Sequence, residues 1–295
     1  MGVQMPSERK KETVIPGVLY RRDPPGAVIP LVFDSPHSGI SYPADFRFSA
    51  PLEIVRTAED THVDELFASA PAHGATLLAA LFPRSYIDVN RHVDDIDPDL
   101  LDGPWPGKIA PGEKTRLGMG LIRRLAHPGI PMYDRKLPVS EVRARIETYY
   151  LPYHDMLGRI IDDLHARFGA VWHINCHSMA SRGSAMTPDG AVGRAQFVLG
   201  DRDGTSCSPA LTKLVADALT ELGYEVRIND PYKGAEIVRR YGDPVARRHS
   251  LQIEINRRLY MDERTREKSA GFAKLQADLA RVVARIADHV RAAVT

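Results

Sequence analysis

The sequence predicts an α/β fold, with a mixed, mostly parallel central sheet and helices on both faces. Three observations lead there. Short apolar runs bounded by Gly, Pro or Asp recur along the chain, and stretches with helical spacing lie between several of them. The last such stretch carries the apolar stripe of a helix that packs on a sheet. Strands alternating with long helices favour a sheet covered on both sides, with ligands beyond the carboxyl ends of its strands.

The expected strands are 29–33, 75–81, 86–89, 170–174, 197–199, 224–228 and 251–255. Helical spacing covers 58–72, through Val63, Leu66, Phe67 and Ala70, and 139–168, through Val142, Ile146, Tyr150, Leu157, Ile161 and Leu164. Pro152 is expected to kink or break the second, because it lacks a donor and crowds the preceding turn. Two more helices are expected at 208–222 and 264–294. The latter carries Phe272, Leu275, Leu279, Val282, Ile286 and Val290 at steps of three and four. Residues 94–131, rich in Pro, Gly and Asp, have no clear period and read as an excursion from one fold, of the kind that forms binding loops or lids. The domain is expected to span 17–295, with 1–16 as a loose tail.

Composition excludes several classes. Hydrophobic residues at 43% and charged residues at 26% suffice for a core without disulfides. Lys and Arg number 39 against 38 Asp and Glu, so the basic field of a nucleic-acid binder is missing. Cys176 and Cys207 are too few for a disulfide framework or a Cys-rich zinc site and suit a reducing cytoplasm. No apolar run reaches the ~18 residues of a membrane span, and residues 1–11 lack the apolar core of a signal peptide. The expectation is a cytoplasmic protein whose partner is a small molecule, not nucleic acid or a membrane.

Four constellations could carry chemistry. An apolar run enters Pro36-His37-Ser38-Gly39, and another enters Asn175-Cys176-His177-Ser178, so two imidazoles leave two strand ends. Each alone reads more readily as a hydrogen-bonded structural histidine; together they read equally as two ligands of a zinc site, which needs a third. Glu59, Asp60 and Asp64 are the acidic candidates, with Asp60 also readable as a plain helix cap. At Asp88-Val89-Asn90-Arg91 a strand is expected to end in an amide and a guanidinium, suited to an anionic substrate or an oxyanion, or to a local Asp88–Arg91 pair. In 250–257, Leu251, Ile253 and Ile255 alternate with Gln252, Glu254 and Asn256. That polar row marks either a solvent-facing edge strand or a carboxylate aimed at a metal-activated water. Cys176 reads as a buried small apolar residue beside His177.

In this order the pieces resemble the N-formylglutamate amidohydrolase family: Pro36-His37-Ser38-Gly39, Asp60, Asp88-Val89-Asn90-Arg91, the Tyr149–His154 run, Asn175-Cys176-His177-Ser178, Lys233-Gly234, Tyr241-Gly242 and Gln252-Ile253-Glu254-Ile255-Asn256. The resemblance runs from about residue 28 to about 285 and implies a zinc carboxypeptidase-like (phosphorylase/hydrolase-like) fold. It implies one zinc ion on His37, Asp60 and His177, Glu254 as general base, and Asn90 with Arg91 gripping a substrate carboxylate or polarised carbonyl. Ser178, Lys233 and Arg257 join the expected substrate-binding set, with Arg123 and Arg182 as further guanidiniums. The reaction implied is hydrolysis of N-formyl-L-glutamate to formate and glutamate, a step of histidine breakdown. Alternatives are a related metallo-amidohydrolase with another substrate, or a binding protein that keeps the hydrolase fold.

Two positions depart from the resemblance. Carboxypeptidase relatives place an acidic ligand three residues after the first histidine, where this chain has Ile40, so Asp60, Asp64 or Glu59 must supply it. Glu236 follows Lys233-Gly234-Ala235, where a carboxylate repels an acidic substrate unless Arg239 or Arg240 pairs with it.

Overall fold

In the computed structural model, which describes residues 12–184, 187 and 189–294, eight strands form one sheet. They are β1 (Glu12–Ile15), β2 (Leu19–Arg22), β3 (Leu31–Ser35), β4 (Thr76–Ala80), β5 (Val171–Met179), β6 (Phe197–Gly200), β7 (Val226–Ile228) and β8 (Arg248–Asn256). Their order is β1-β2-β4-β3-β5-β8-β6-β7. Pairing is parallel for β4–β3, β3–β5, β5–β8 and β6–β7, and antiparallel for β1–β2, β2–β4 and β8–β6. The expected mixed, mostly parallel sheet is present. The main helices are α1 (Leu151–Phe168), α2 (Pro209–Glu221), α3 (Glu236–Tyr241) and α4 (Phe272–Val294). Among the described residues no helix is long and apolar enough to cross a membrane.

Several expectations need correction. Residues 12–15 are not part of a loose tail: they pair with β2 as an edge strand, and 1–11 lie outside the described residues. Residues 86–89 are not a strand. Their backbone closes local turns, with the Tyr86 amide on the Pro83 carbonyl and the Arg91 amide on the Asp88 carbonyl, while Asp88 donates to Leu121. Helix 58–72 is cut short because His62 takes a left-handed conformation, leaving a single helical turn at Val63–Leu66. Pro152 does not break helix 139–168; a wider π-turn over Ile146–Tyr150 precedes it and accommodates the missing donor. The last helix starts at Phe272, since 264–271 are occupied by turns.

The two faces of the sheet differ in chemistry. On one, Phe33, Ile174, Cys176, Leu251, Ile253 and Ile255 are fully buried with Leu211 of α2 and Leu275 and Leu279 of α4. Each such side chain contributes about 1.5–3 kcal/mol by leaving water. On the other, Val32, Leu78 and Val171 pack with Leu157 and Ile161 of α1. Alternation along β3, β5 and β8 brings Asp34, His173, Asn175, His177, Ser250, Gln252 and Glu254 to this second side. Register sets Asp34 opposite Asn175, Asn175 opposite Gln252, and His177 opposite Glu254. The polar row of β8 is therefore not a solvent-facing edge, because β8 pairs with β5 on one side and β6 on the other.

Gly39 closes the turn that carries His37. A Cβ there would stand 2.3 Å from the Phe82 carbonyl oxygen and 2.4 Å from the Leu81 carbonyl carbon, both backbone atoms that have no rotamer to escape into. Gly39→Ala is expected to cost more than about 2 kcal/mol, read as a lower urea midpoint with an unchanged slope. A midpoint equal to wild type would show that this turn has slack.

Candidate active site

His37 follows the end of β3 and His177 lies in β5, two parallel neighbours, so both imidazoles reach the same edge of the sheet. Asp60 is brought to them by its backbone, whose amide donates to the His37 carbonyl at 2.9 Å. His37, Asp60 and His177 form a buried group that could hold a metal ion. His37 Nδ1 stands 3.1 Å from His177 Nδ1, and Asp60 Oδ2 is 3.5 Å from the first and 3.1 Å from the second.

The other ring nitrogens fix the tautomers. His37 Nε2 lies 2.8 Å from Asp88 Oδ1, a carboxylate that only accepts, so Nε2 carries the proton. Asp88 is held in turn by two hydrogen bonds from Arg84, at 2.7 and 3.1 Å. Burial alone raises the Asp88 carboxyl, but Arg84, His37 and Arg91 outweigh it and hold it well below the ordinary carboxylate range. His177 Nε2 has two neighbours, Asn175 Oδ1 at 2.7 Å and Asn90 Nδ2 at 3.2 Å. Both amides are anchored, Asn175 by donating to Asp34 and Asn90 by accepting from the Ile237 amide. An oxygen at 2.7 Å requires a proton on Nε2, whereas the longer amide contact tolerates one, so His177 also presents a bare Nδ1. Two imidazole lone pairs and one carboxylate oxygen thus converge in a buried site.

Asp60 is secured from behind by Arg257, whose Nη2 donates to Oδ1 at 2.9 Å. Burial pushes the Asp60 carboxyl upward, yet a proton shared with the two imidazoles, together with Arg257, holds it well below its usual range. The other acidic candidates are engaged elsewhere. Asp64 accepts from the Tyr20 hydroxyl, and Glu59 from Tyr42, Arg56 and Thr61.

A cavity of about 600 Å³ opens in front of His177, with Ser178, Gln252 and Glu254 in its lining and His37 and Asp60 buried behind them. Glu254 accepts from Gln252 Nε2 at 3.0 Å and keeps part of its surface on the cavity. Burial, with the Asp60 charge, pushes its carboxyl up to about 7 against the opposing pull of His177, Arg84 and Arg257. Arg84, Arg91 and Arg123 form a cationic cluster in the lining, to which Asn90, Arg194 and Tyr232 also belong. The excursion 94–131 supplies Lys114, Met119, Arg123, Ala126, His127 and Pro128.

Some expected roles change. Arg257 does not offer a free guanidinium, since its Nε, Nη1 and Nη2 donate to Ser178, the Thr57 carbonyl and Asp60. It positions Asp60, and it also engages the Ser178 hydroxyl that was expected to meet substrate. Lys233 lines the cavity but is paired with Asp203 at 2.9 Å, and Arg182 donates to the Ala191 carbonyl. No Asp88–Arg91 side-chain pair forms; Arg91 donates to the Met119 and Asn90 carbonyls. Glu236 is paired by Arg239 through two bonds of 2.8 Å and is absent from the cavity lining, so it presents no charge to a ligand. Sequence reasoning missed Arg84 and Asp34, whose only signals were an Arg–Asp spacing of four outside any helix and a polar residue ending an apolar run.

A model of the N-formylglutamate amidohydrolase family matches residues 29–261. The chain belongs to that family. Membership places it among hydrolases of amide bonds. It is 31% identical over 242 residues to N-formylglutamate deformylase of Pseudomonas putida, covering 80% of this chain and 83% of the relative. It is also 31% identical over 260 residues to the deformylase of Pseudomonas aeruginosa, covering 85% and 87%. A crystal structure of N-formylglutamate amidohydrolase from Ralstonia eutropha JMP134 superposes with a TM-score of 0.90 at 52% identity, covering 94% of this chain and all of that one.

The tautomer of His177 is testable. Asn175→Leu keeps the volume but removes the acceptor of the Nε2 proton, and is expected to weaken divalent-metal binding about 10–100-fold in a chelator competition. Unchanged affinity would show that Asn175 does not orient the imidazole.

Proposed function

We propose that this protein hydrolyses the formamide of N-formyl-L-glutamate, or a close analogue, to formate and the free amino acid, using one zinc ion held by His37, Asp60 and His177. Three bare acceptors facing one another carry the metal part of this proposal. Ligands ~2.0–2.1 Å from a tetrahedral zinc ion stand roughly 3.3 Å apart. The separations of 3.1, 3.1 and 3.5 Å fit that edge length. Without a cation the same atoms repel unless a proton bridges them.

When bound, the ion would supply Lewis acidity toward the formyl oxygen and acidify a water. The chain's own groups do the rest. Glu254 takes the proton of the attacking water on a carboxylate oxygen and returns it to the departing amine nitrogen. Its upward shift matches it to this task, because a base near neutrality both takes and gives a proton readily. Arg91 and Asn90 hold the carboxylate next to the amide, with Arg91 fixed by its bonds to the Met119 and Asn90 carbonyls. The names of the Pseudomonas relatives support the substrate, and the pairing of Glu236 removes the one charge that opposed it. A cytoplasmic place in histidine breakdown belongs to the same proposal.

Release of free glutamate from its N-formyl, N-acetyl and N-carbamoyl derivatives tests the acyl group, and release from the N-formyl compound alone is expected. Glu254→Gln is expected to lower kcat about 10²–10⁴-fold with metal content unchanged. The acid limb of kcat/KM also follows from Glu254. Its base form exists above its pKa, so activity falls as pH drops through that value, and a neighbouring cation sets the limb below about 7. Full activity in Glu254→Gln, or a limb that the substitution leaves in place, would reject Glu254 as the base.

A further inference from the structure

Arg123 is buried to 8% exposure in the cavity wall, yet its Nε meets no hydrogen-bond acceptor. Three other guanidiniums of the lining are committed to carboxylates. Arg84 binds Asp88, Arg257 binds Asp60, and Arg194 binds Asp189. Arg123 instead sits among charges of its own sign. Burial, then Arg84 and Arg91, bring its pKa down to about 9, with Asp88 and Asp60 opposing only in part. Asp88 is already shared by Arg84 and His37. A guanidinium buried beside two others and left without an acceptor destabilises the free protein, and folds retain such groups where a ligand supplies the counter-charge.

We infer that Arg123 reads the second carboxylate of a dicarboxylate substrate, the one at the end of its side chain. In the proposed reaction Asn90 and Arg91, which share the cavity lining, take the carboxylate next to the scissile amide. Arg123 enters the same cavity from the 94–131 excursion, an element separate from the sheet edge that carries the reacting groups. Selection for a charged side chain is thus placed on a loop that can vary without disturbing the chemistry. The inference rests on the proposed amide hydrolysis for the kind of ligand but not for its test.

The test is binding without turnover, in metal-loaded protein carrying Glu254→Gln, by calorimetry. N-formyl-L-glutamate is compared with N-formyl-L-norvaline, which has the same carbon chain and lacks the second carboxylate. Adding Arg123→Met is expected to weaken the dicarboxylate roughly 10- to 100-fold and to leave the norvaline compound within about threefold. Arg123→Lys is expected to recover part of the loss. The ligand-free melting temperature of Arg123→Met should equal or exceed that of its parent, since an uncompensated buried charge is removed. Equal losses for both ligands, no loss for either, no binding of the dicarboxylate, or a lowered melting temperature would overturn the inference. Arg123-dependent binding in a wild-type protein that releases no formate would instead sink the proposed reaction and leave this assignment standing.

Discussion

Three electron-pair donors turned toward one another at the buried end of a cavity are the constraint on which the rest of this structure depends. His37 Nδ1, His177 Nδ1 and Asp60 Oδ2 would repel one another in the absence of a positive charge, and burial weakens any screening of them. Each is therefore gripped from its far side. Asp88 and Arg84 hold His37, Asn175 and Asp34 hold His177, and Arg257 holds Asp60. The arrangement lets the three donors meet a cation with little reorganisation, which is how supporting residues tune a metal site.

The sheet makes this arrangement possible and bears its cost. One face of β3, β5 and β8 is uniformly apolar, and the alternation that produces it delivers an equally regular polar row to the other. That row is buried, so each member needs a partner. Asp34 accepts from Tyr153 of α1, His173 and Asn175 at 2.7–2.8 Å, and His173 also meets Ser250. Burial favours the protonated Asp34, but His173, Asn175 and Tyr153 keep its carboxyl below its usual range. The network extends the polar chemistry of the site into the fold itself.

Much of this was legible in the sequence. Seven apolar runs were expected as strands, and six coincide with strands of the sheet; the seventh, at 86–89, is a buried turn region, because an apolar run reports burial and not backbone conformation. The histidines and Glu254 were readable because each ends or lies within a strand whose pattern is strong. The choice of Asp60 over Glu59 and Asp64 was not. It depends on a left-handed His62 and on the engagement of Asp64 by Tyr20 and of Glu59 by Tyr42, and neither contact is local in sequence. The same holds for Arg257, which joins Asp60 across 197 residues, and for Arg123, whose significance lies in the absence of a partner. Edge strand β1 escaped notice because its exposed sequence lacks an apolar run.

The central claim is that a single cation is bound through the two Nδ1 atoms and Asp60 Oδ2. Anomalous diffraction at the zinc edge, on crystals of protein purified without chelator, addresses it directly. One peak is expected ~2.0–2.1 Å from His37 Nδ1, His177 Nδ1 and Asp60 Oδ2, and no peak near Asp64 or Glu59. Active protein whose crystals show no peak at this triad, or a metal reached through the Nε2 atoms, would contradict the account.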